Sequence, residues 1–249
     1  MATPSQALVV IPCFNEETRL NTTRWQEAMS TYGFDLLFVD DGSSDNTPEL
    51  LSQICRENPE HCSSLHLENN LGKGEAVRRG LLQGLNKNYD HLGFADADLA
   101  TPVDELARLH TRACQENVAI VLGSRWLHMG AQIERTGTRH YLGRFFATSA
   151  SLILGLPIYD TQCGAKFFKN GPALEKAVSE PFHSAWAFDV ELLGRLLSGP
   201  HALPPDALLE VPLRSWHDVP GSKLSTPASI RTFAELGRIA LALKKWRSG

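Results

Sequence analysis

The chain lacks the features that mark several common classes of protein. Its five cysteines form no C-x-x-C pair and no zinc-finger spacing with histidine, so we expect reduced thiols and no structural zinc site. The net charge is −4, which argues against a protein that tracks nucleic-acid phosphates. The sequence has neither a recognisable signal peptide nor the run of about 20 apolar residues that a spanning helix needs. We therefore expect a cytoplasmic protein without a membrane-spanning segment.

Apolar runs and helical patterns alternate along the first half of the chain. This alternation is typical of βαβ units, in which a mostly parallel, Rossmann-like sheet is covered by helices on both faces. The predicted strands are 8–13, 35–39, 65–67, 91–95 and 118–122, and the predicted helices are 16–29, 47–57, 74–85 and 103–115.

The second half is less regular. It contains predicted helices at 139–155, 188–198 and 228–247, strands at 165–168 and 208–213, and a loop at 215–227. No repeat or long linker interrupts the chain, so we predict one α/β domain over 1–249. Within it we distinguish a nucleotide-binding half (1–122), a smaller acceptor half (123–226) and a C-terminal amphipathic helix (227–249).

Acidic and amide side chains follow three of the predicted strands. Asn15 and Glu16 follow the first, Asp40 and Asp41 end the second, and Asp96-Ala97-Asp98 follows the fourth. Ligands of open parallel sheets bind beyond the carboxyl ends of the strands, so we expect these clusters to share one crevice. Asp96 and Asp98 repel each other unless a cation lies between them, and their oxygens suit Mg²⁺ or Mn²⁺. The alternative is a polar turn that caps the next helix.

Two further charged groups have more than one interpretation. Lys73 lies between Gly72 and Gly74 before a predicted helix, where it would suit a diphosphate, although a solvated surface lysine has the same appearance. Asp189 and Glu191 are two apart on a predicted helix, so only one of them is expected to point into a site.

Together these motifs resemble the inverting family 2 glycosyltransferases of GT-A fold. The resemblance rests on Ile11-Pro12-Cys13-Phe14-Asn15-Glu16, the stretch 40–47, the loop 71–74 and Asp96-Ala97-Asp98, in that order. Gly123-Ser124-Arg125, the segment 160–168, the segment 186–193 and the loop 219–224 are similar to the dolichyl-phosphate β-glucosyltransferase branch.

The resemblance implies a donor, a metal and an acceptor. The donor would be a nucleotide sugar such as UDP-glucose, and a divalent metal (Mg²⁺ or Mn²⁺) on Asp96 and Asp98 would hold its diphosphate. The residues implied to line the donor site are Pro12, Asn15, Glu16, Asp40, Asp41, Lys73, Asp96, Ala97, Asp98, Gln162 and Lys223. Arg125 and Arg139, with Arg135 as a spare candidate, would grip the phosphate of a polyprenyl acceptor. Asp189 would lie beside the acceptor, and Lys166 would pack against the sugar or the site floor.

Three alternatives stay open at this point. The acceptor is a polyprenyl phosphate, or it is a hydroxyl whose proton Asp189 removes. A module that binds the nucleotide sugar without turnover is the non-enzyme alternative. The C-terminal helix, with Ile230, Phe233, Leu236, Ile239, Leu243 and Trp246 at helical spacing, lies on the inner face of a membrane or packs on the domain.

Overall fold

A seven-stranded sheet organises the chain. The computed structural model describes residues 6–133, 137–219 and 226–248, with side chains for 6–133, 146–219 and 235–246. The sheet contains β1 (Ala7–Cys13), β2 (Asp35–Asp40), β3 (Cys62–His66), β4 (His91–Ala95), β5 (Ile120–Ser124), β7 (Ala165–Lys169) and β8 (Leu208–Pro212). Two short strands, β6 (Gln132–Ile133) and β9 (Ser215–Trp216), pair with each other in parallel.

Helices cover both faces of this sheet. They are α1 (Thr22–Ser30), α2 (Thr47–Glu57), α3 (Lys73–Leu85), α4 (Val103–Glu116), α5 (Gly137–Leu154), α6 (Pro172–Val178), α7 (Phe188–Leu196) and α8 (Thr226–Ser248). A 3-10 turn covers Pro205–Ala207. Successive residues of one strand point to opposite faces, so Val10 joins a cluster with residues of α3 and α7, and Val9 joins one with residues of α1 and α4. The predicted α/β fold class is confirmed.

The sheet is parallel except at one strand. Its order is β3-β2-β1-β4-β7-β5-β8, and β7 runs antiparallel to both β4 and β5. Ala165 at the start of β7 pairs with Ala95 at the end of β4. The segment that precedes β7 therefore reaches the same edge as the carboxyl ends of the parallel strands.

Several parts of the chain differ from the sequence prediction. Strands β3 and β5 cover Cys62–His66 and Ile120–Ser124, where 65–67 and 118–122 were predicted, and β9 lies in the predicted loop 215–227. The helix predicted at 16–29 begins only at Thr22, because the Asn21 side chain caps it by accepting from the Arg24 amide at 3.1 Å. Glu16 and Leu20 instead close a turn, in which the Leu20 amide donates to the Glu16 carbonyl at 2.8 Å. Helix α6 was not predicted, although Pro172 at its first turn is a typical start signal.

The C-terminal helix packs on the domain over its described side chains. Leu236, Ile239 and Leu243 are buried, and a Cβ on Gly194 of α7 would lie 2.5 Å from Leu243 Cδ2. The Ser184 hydroxyl donates to Glu235 at 2.5 Å. The three buried side chains therefore face the domain, as the packing alternative expects, and the side chains of Ile230 and Phe233 lie outside the described residues. No helix within the described ranges is long and apolar enough to cross a membrane.

Candidate active site

The candidate site lies at the edge where β1, β2, β4 and β5 end and β7 begins. Asn15 and Glu16 follow β1, Asp41 follows β2, Asp96 follows β4 and Arg125 follows β5. The first turns of α3 and α7 bring Lys73 and Asp189 to the same place. The structure thus brings the predicted clusters to one edge, as the strand-end rule requires.

The loop after β4 holds the acidic pair by backbone contacts on both sides. The Asp96 amide donates to the Gly164 carbonyl at 3.0 Å, and the Leu99 amide donates to the Asp96 carbonyl at 3.1 Å. The Ala97 carbonyl accepts from the Trp25 indole at 3.2 Å. Since Trp25 is buried against Phe38, these contacts fix the direction of the loop before any ligand arrives.

Gly164 makes room for the Asp96 carboxylate. A Cβ at this glycine would lie 2.0 Å from Asp96 Oδ2 and 2.2 Å from Cγ, far inside van der Waals contact. Any other residue at 164 would displace the carboxylate from its present position. The glycine is therefore a steric requirement of the acidic site.

Both acids of the pair face cations of the protein itself. Lys73 Nζ bonds Asp96 Oδ1, and Arg19 Nη1 lies 3.7 Å from Asp98 Oδ2. Partial burial lowers the pKa of Lys73, but Asp96, Asp189 and Asp98 outweigh it and raise the pKa above its usual value. Burial, together with the charge of Asp96, raises the pKa of Asp98. The carboxylates of Asp96, Asp98 and Asp189 therefore stabilise additional positive charge at this site.

These residues fit a divalent metal. Asp96 and Asp98 offer hard carboxylate oxygens on a loop fixed by the protein, and the space beside Gly164 accommodates one of the carboxylates. The raised pKa of Asp98 reflects a carboxylate whose ionised form lacks sufficient compensating charge. A divalent cation would supply it.

Asp40 and Asp41 are occupied by contacts within the protein. Asp41 Oδ1 and Oδ2 accept from the amides of Leu71 and Gly72, each at 2.8 Å, so the carboxylate holds the loop that leads to Lys73. Burial raises the pKa of Asp41. Asp40 Oδ2 lies 2.5 Å from Nδ1 of His66, and its Oδ1 accepts from the Ser43 amide at 3.2 Å. Both acids hold the loops at this edge of the sheet, and their contact with the donor stays a prediction.

Asn15 and Glu16 connect the β1 and β2 loops. Asn15 has a positive φ of 52° and accepts from the Ser44 amide at 2.8 Å, while the Glu16 amide donates to Thr47 Oγ1 at 2.8 Å. The Glu16 carboxylate bonds Arg19. Pro12 lies one residue before the end of β1, beside Val39. The loops that we expect to bind the nucleoside are thus fixed to each other.

Asp189 lies in a buried ion pair. Lys166 Nζ donates to Asp189 Oδ1 at 2.6 Å and to the Cys163 carbonyl at 2.5 Å. Burial raises the pKa of Asp189, although Lys166 and Lys73 oppose this. Glu191 points elsewhere, where it accepts from the amides of His183 and Ser184 at 2.9 and 3.1 Å. Asp189 is therefore the acid of this helix that belongs to the site.

Of the acceptor-side arginines, Arg125 lies in an ion pair with Asp160. Arg125 Nε and Nη2 donate to Asp160 at 2.7 and 2.9 Å, and its amide donates to the same carboxylate at 3.1 Å. Burial lowers the pKa of Arg125, but Asp160 outweighs it and raises it. The guanidinium that we expect to bind an acceptor phosphate is thus also held by a carboxylate of the chain, and its role toward the acceptor stays a prediction. The side chain of Arg139, in α5, and residues Arg135 and Lys223 lie outside the described residues.

Gln162 and several residues that we did not predict complete the edge. Gln162 Nε2 donates to the Trp186 carbonyl at 3.4 Å, so it connects the segment before β7 with that before α7. Arg19, His66 and Asp160 were not predicted as site residues, and they contact Asp98, Asp40 and Arg125 in that order. Asp160 begins the segment 160–168 that carries part of the resemblance, which is the one signal that could have found it. No local pattern marks the contacts of Arg19 and His66, because Asp98 and Asp40 lie far away along the chain.

Comparisons with known proteins point to one family. The family described as Glycosyl transferase family 2 matches residues 8–193. A dolichyl-phosphate beta-glucosyltransferase of Saccharomyces cerevisiae is 34% identical over 239 residues, which cover 87% of this chain and 68% of that protein. A polyprenol monophosphomannose synthase of Mycolicibacterium smegmatis is 28% identical over 78% of this chain and 74% of that protein.

A solved structure is similar in fold. It is glucosyl-3-phosphoglycerate synthase from Mycobacterium tuberculosis in complex with Mn²⁺, UDP-glucose and phosphoglyceric acid. Its TM-score is 0.67 at 19% identity, and the match covers 95% of this chain and 80% of that one.

Proposed function

Because the chain belongs to glycosyl transferase family 2, we propose that it transfers glucose from UDP-glucose to a polyprenyl phosphate with inversion at the anomeric carbon. The observation that carries this proposal is the arrangement of Asp96 and Asp98 at the end of β4, beside Lys73 and the Lys166–Asp189 pair. The names of the relatives support the acceptor class and the sugar.

The acidic pair would hold the donor's metal. A Mn²⁺ or Mg²⁺ ion bound there would neutralise negative charge on the diphosphate as it leaves. Lys73 adds a second positive charge at the start of α3, where backbone amides also favour a diphosphate. The roles of the remaining donor-site residues follow from position: Pro12, Asn15, Glu16, Asp40 and Asp41 build the wall against which the nucleoside would lie.

Asp189 would orient the acceptor side without having to remove a proton. A polyprenyl phosphate is already ionised at neutral pH, so its oxygen is a nucleophile without a base. Lys166 holds Asp189 by a short ion pair, and Lys73 and Asp96 act on the same carboxylate. A rigid carboxylate near the sugar would favour the positive charge that develops at the anomeric carbon.

An exposed apolar segment supports work at a membrane surface. Trp126, Leu127 and Met129 follow Arg125 and are 48%, 62% and 99% exposed. The Trp126 ring stacks on Tyr159 at 5.6 Å between centroids. Since this segment follows β5 at the site edge, we infer a peripheral contact through these residues with the bilayer that holds the acceptor.

The test is a transfer assay with labelled UDP-glucose and a short polyprenyl phosphate. We expect a labelled lipid product with Mn²⁺ present, no product with the unphosphorylated polyprenol, and at least 10²-fold less product with Asp98→Asn, because the diphosphate loses its metal. GDP-mannose and UDP-N-acetylglucosamine are the matched donor controls. The absence of lipid product with UDP-glucose overturns the proposal, and so does a product formed with a control donor alone.

The second candidate is transfer to a hydroxyl acceptor with Asp189 as general base. The observation that favours it is the raised pKa of Asp189, since burial makes its carboxylate a stronger proton acceptor. In that case Asp189→Asn lowers kcat by about 10²-fold or more while UDP-glucose binding persists. A phosphate acceptor predicts a smaller loss that does not depend on pH.

A further inference from the structure

Two histidines and a cysteine meet at the edge of the sheet opposite the active site. His91 is the first residue of β4, and His110 and Cys114 lie four apart on α4. Residues four apart on a helix share a face. Strand β4 separates this cluster from Asp96 by roughly 16 Å, at about 3.3 Å per residue. The cluster is therefore independent of the donor site.

The ligand atoms already stand close to metal-binding positions. One nitrogen of each histidine and the Cys114 sulfur all lie within 4.8 Å of one another. His110 Nε2 lies 3.6 Å from Cys114 Sγ. A tetrahedral zinc ion with bonds of about 2.0 Å to nitrogen and about 2.3 Å to sulfur places these atoms roughly 3.6 Å apart. This pair thus has the spacing of two zinc ligands, and His91 would complete a set of three.

Neighbouring rings hold the imidazoles in place. The His91 and His110 rings lie 5.2 Å apart between centroids at 79°, and His110 also packs on Phe34 and Phe167 at 5.7 and 5.4 Å. His91 is buried and Cys114 is exposed, so an ion can reach the cluster from the Cys114 side. Ordered rings reduce the entropy that binding would otherwise cost.

The charge state of the cluster suits a metal. Burial lowers the pKa of His110 to about 4 and also lowers that of His91, so burial favours the neutral form of both imidazoles, which is the form that binds metals. Asp90 and Lys169 act on His91 in opposite directions, which leaves no strong net charge against a cation.

We propose that His91, His110 and Cys114 bind a divalent cation of the zinc class, with a fourth position open to water. The lack of C-x-x-C pairs and of zinc-finger spacing in the sequence argued only against a closed zinc site with four protein ligands. The proposed site has three protein ligands and one open position. The ion would connect the start of β4 to α4 and stabilise the folded chain. Nitrogen and sulfur ligands also separate this site from the carboxylates at Asp96 and Asp98, which suit Mn²⁺ or Mg²⁺.

Cobalt titration of the metal-free 249-residue chain tests the site directly. Co²⁺ bound to a thiolate gives a charge-transfer absorption that carboxylate ligands do not give. We expect one equivalent with this absorption in the wild-type chain, and its loss in Cys114→Ser, whose exposed position makes the change harmless to folding. Cys55→Ser is the control, because it removes a thiol from α2 and should keep the absorption. Absorption that survives Cys114→Ser, or is absent in the wild-type chain, overturns the proposal.

Thermal unfolding with Zn²⁺ gives an independent readout. In an Asp98→Asn background, where the acidic site is weakened, we expect Zn²⁺ to raise Tm by about 4 °C or more at saturating concentration. Adding Cys114→Ser should remove this shift, and adding Cys55→Ser should keep it. An equal shift in both double variants, or no shift in the background chain, contradicts the proposed site.

Discussion

Lys166 and Asp189 form a buried ion pair, with 2.6 Å between Nζ and Oδ1 and side-chain exposures of 0% and 6%. It joins strand β7 to the first turn of α7, beneath the acidic site. Breaking a buried pair leaves an uncompensated charge in a poorly solvated place.

We therefore expect Lys166→Met to lower the free energy of unfolding by about 3–5 kcal/mol. Urea unfolding monitored by circular dichroism measures the change. Lys169→Met is the matched control, since Lys169 lies on the same strand but is exposed, and it should change stability by less than about 0.5 kcal/mol. Equal losses from both variants would mean that the pair contributes nothing specific.

Gly164→Ala should remove transfer activity while the fold persists. The added Cβ would lie 2.0 Å from Asp96 Oδ2, so the carboxylate must leave its position, and we expect at least a 10²-fold loss of kcat/KM from the lost metal ligand. Gly237→Ala is the control: nothing lies within 4 Å of its Cβ, and alanine in helix α8 should add up to about 1 kcal/mol of stability. Wild-type activity in Gly164→Ala would show that Asp96 works from another position.

Arg125→Ala distinguishes a structural arginine from a phosphate-binding one. Because Asp160 holds two nitrogens of the guanidinium, we expect a loss of about 3–5 kcal/mol in unfolding free energy. Asp160→Asn should cost a similar amount, and the double variant should lose less than the sum. A stable Arg125→Ala protein in which only the KM for the polyprenyl phosphate is raised would support the acceptor role.

Asp98→Asn should change how stability depends on pH. Burial and Asp96 raise the pKa of Asp98, so between pH 3.8 and that raised value the folded chain holds more protons than the unfolded chain. The stability contributed by this group therefore falls as pH rises through the interval. We expect metal-free Asp98→Asn to be the more stable protein at pH 7, and added Mn²⁺ to raise Tm in the wild-type chain alone.

Asp45→Asn is the control of opposite sign for that experiment. Burial would raise the pKa of Asp45, but hydrogen bonds from Thr47 outweigh it and lower the pKa. Its contribution to stability is present above pH 3.8 and is lost as pH falls through the lowered value. The same sign of change in both variants would contradict the assignment.

Leu243→Ala and Leu241→Ala separate packing from membrane contact in α8. Leu243 is buried against Gly194, while Leu241 is 66% exposed. We expect Leu243→Ala to cost about 2–5 kcal/mol and Leu241→Ala less than about 0.5 kcal/mol. Sedimentation with anionic vesicles is the second measurement, and neither change should alter it if Trp126 and its neighbours make the contact.

The sequence predicted the sheet and the edge that carries the site because both depend on local patterns. Apolar runs mark Ala7–Cys13 and His91–Ala95 as strands, and acids directly after them must lie at the carboxyl ends. The antiparallel direction of β7 could not be predicted, since the apolar pattern of Ala165–Lys169 fits a strand that pairs with its neighbours in parallel as well as one that pairs antiparallel. Strand direction is set by the pairing partners, which a local pattern does not name.

The functions of single charges were harder to predict than their positions. Arg125 was expected to face a phosphate, and Asp160, 35 residues away, also engages it. Asp41 was expected to line the donor site, and its carboxylate also accepts from backbone amides 30 and 31 residues away. The position of a charged residue directly after a predicted strand is enough to place it at the site edge. Which of its atoms remain available to a ligand depends on hydrogen bonds to residues far away in the sequence.

The pairing register of the antiparallel strand β7 decides which of its side chains face the site. Lys166 lies opposite Phe94 and Leu122, and Phe167 lies opposite Gly93 and Val121. Side chains alternate between the two faces of a strand. A register slip of one residue in β7 would therefore put the Phe167 ring at the position where the Lys166 ammonium now meets Asp189. Gly93 opposes such a slip, since a Cβ there would lie 2.6 Å from the Phe167 ring, and only a residue without one leaves it space. Gly93, in the middle of β4, thus helps to hold Lys166 in the register at which its ammonium meets Asp189, although the glycine itself does not contact the site.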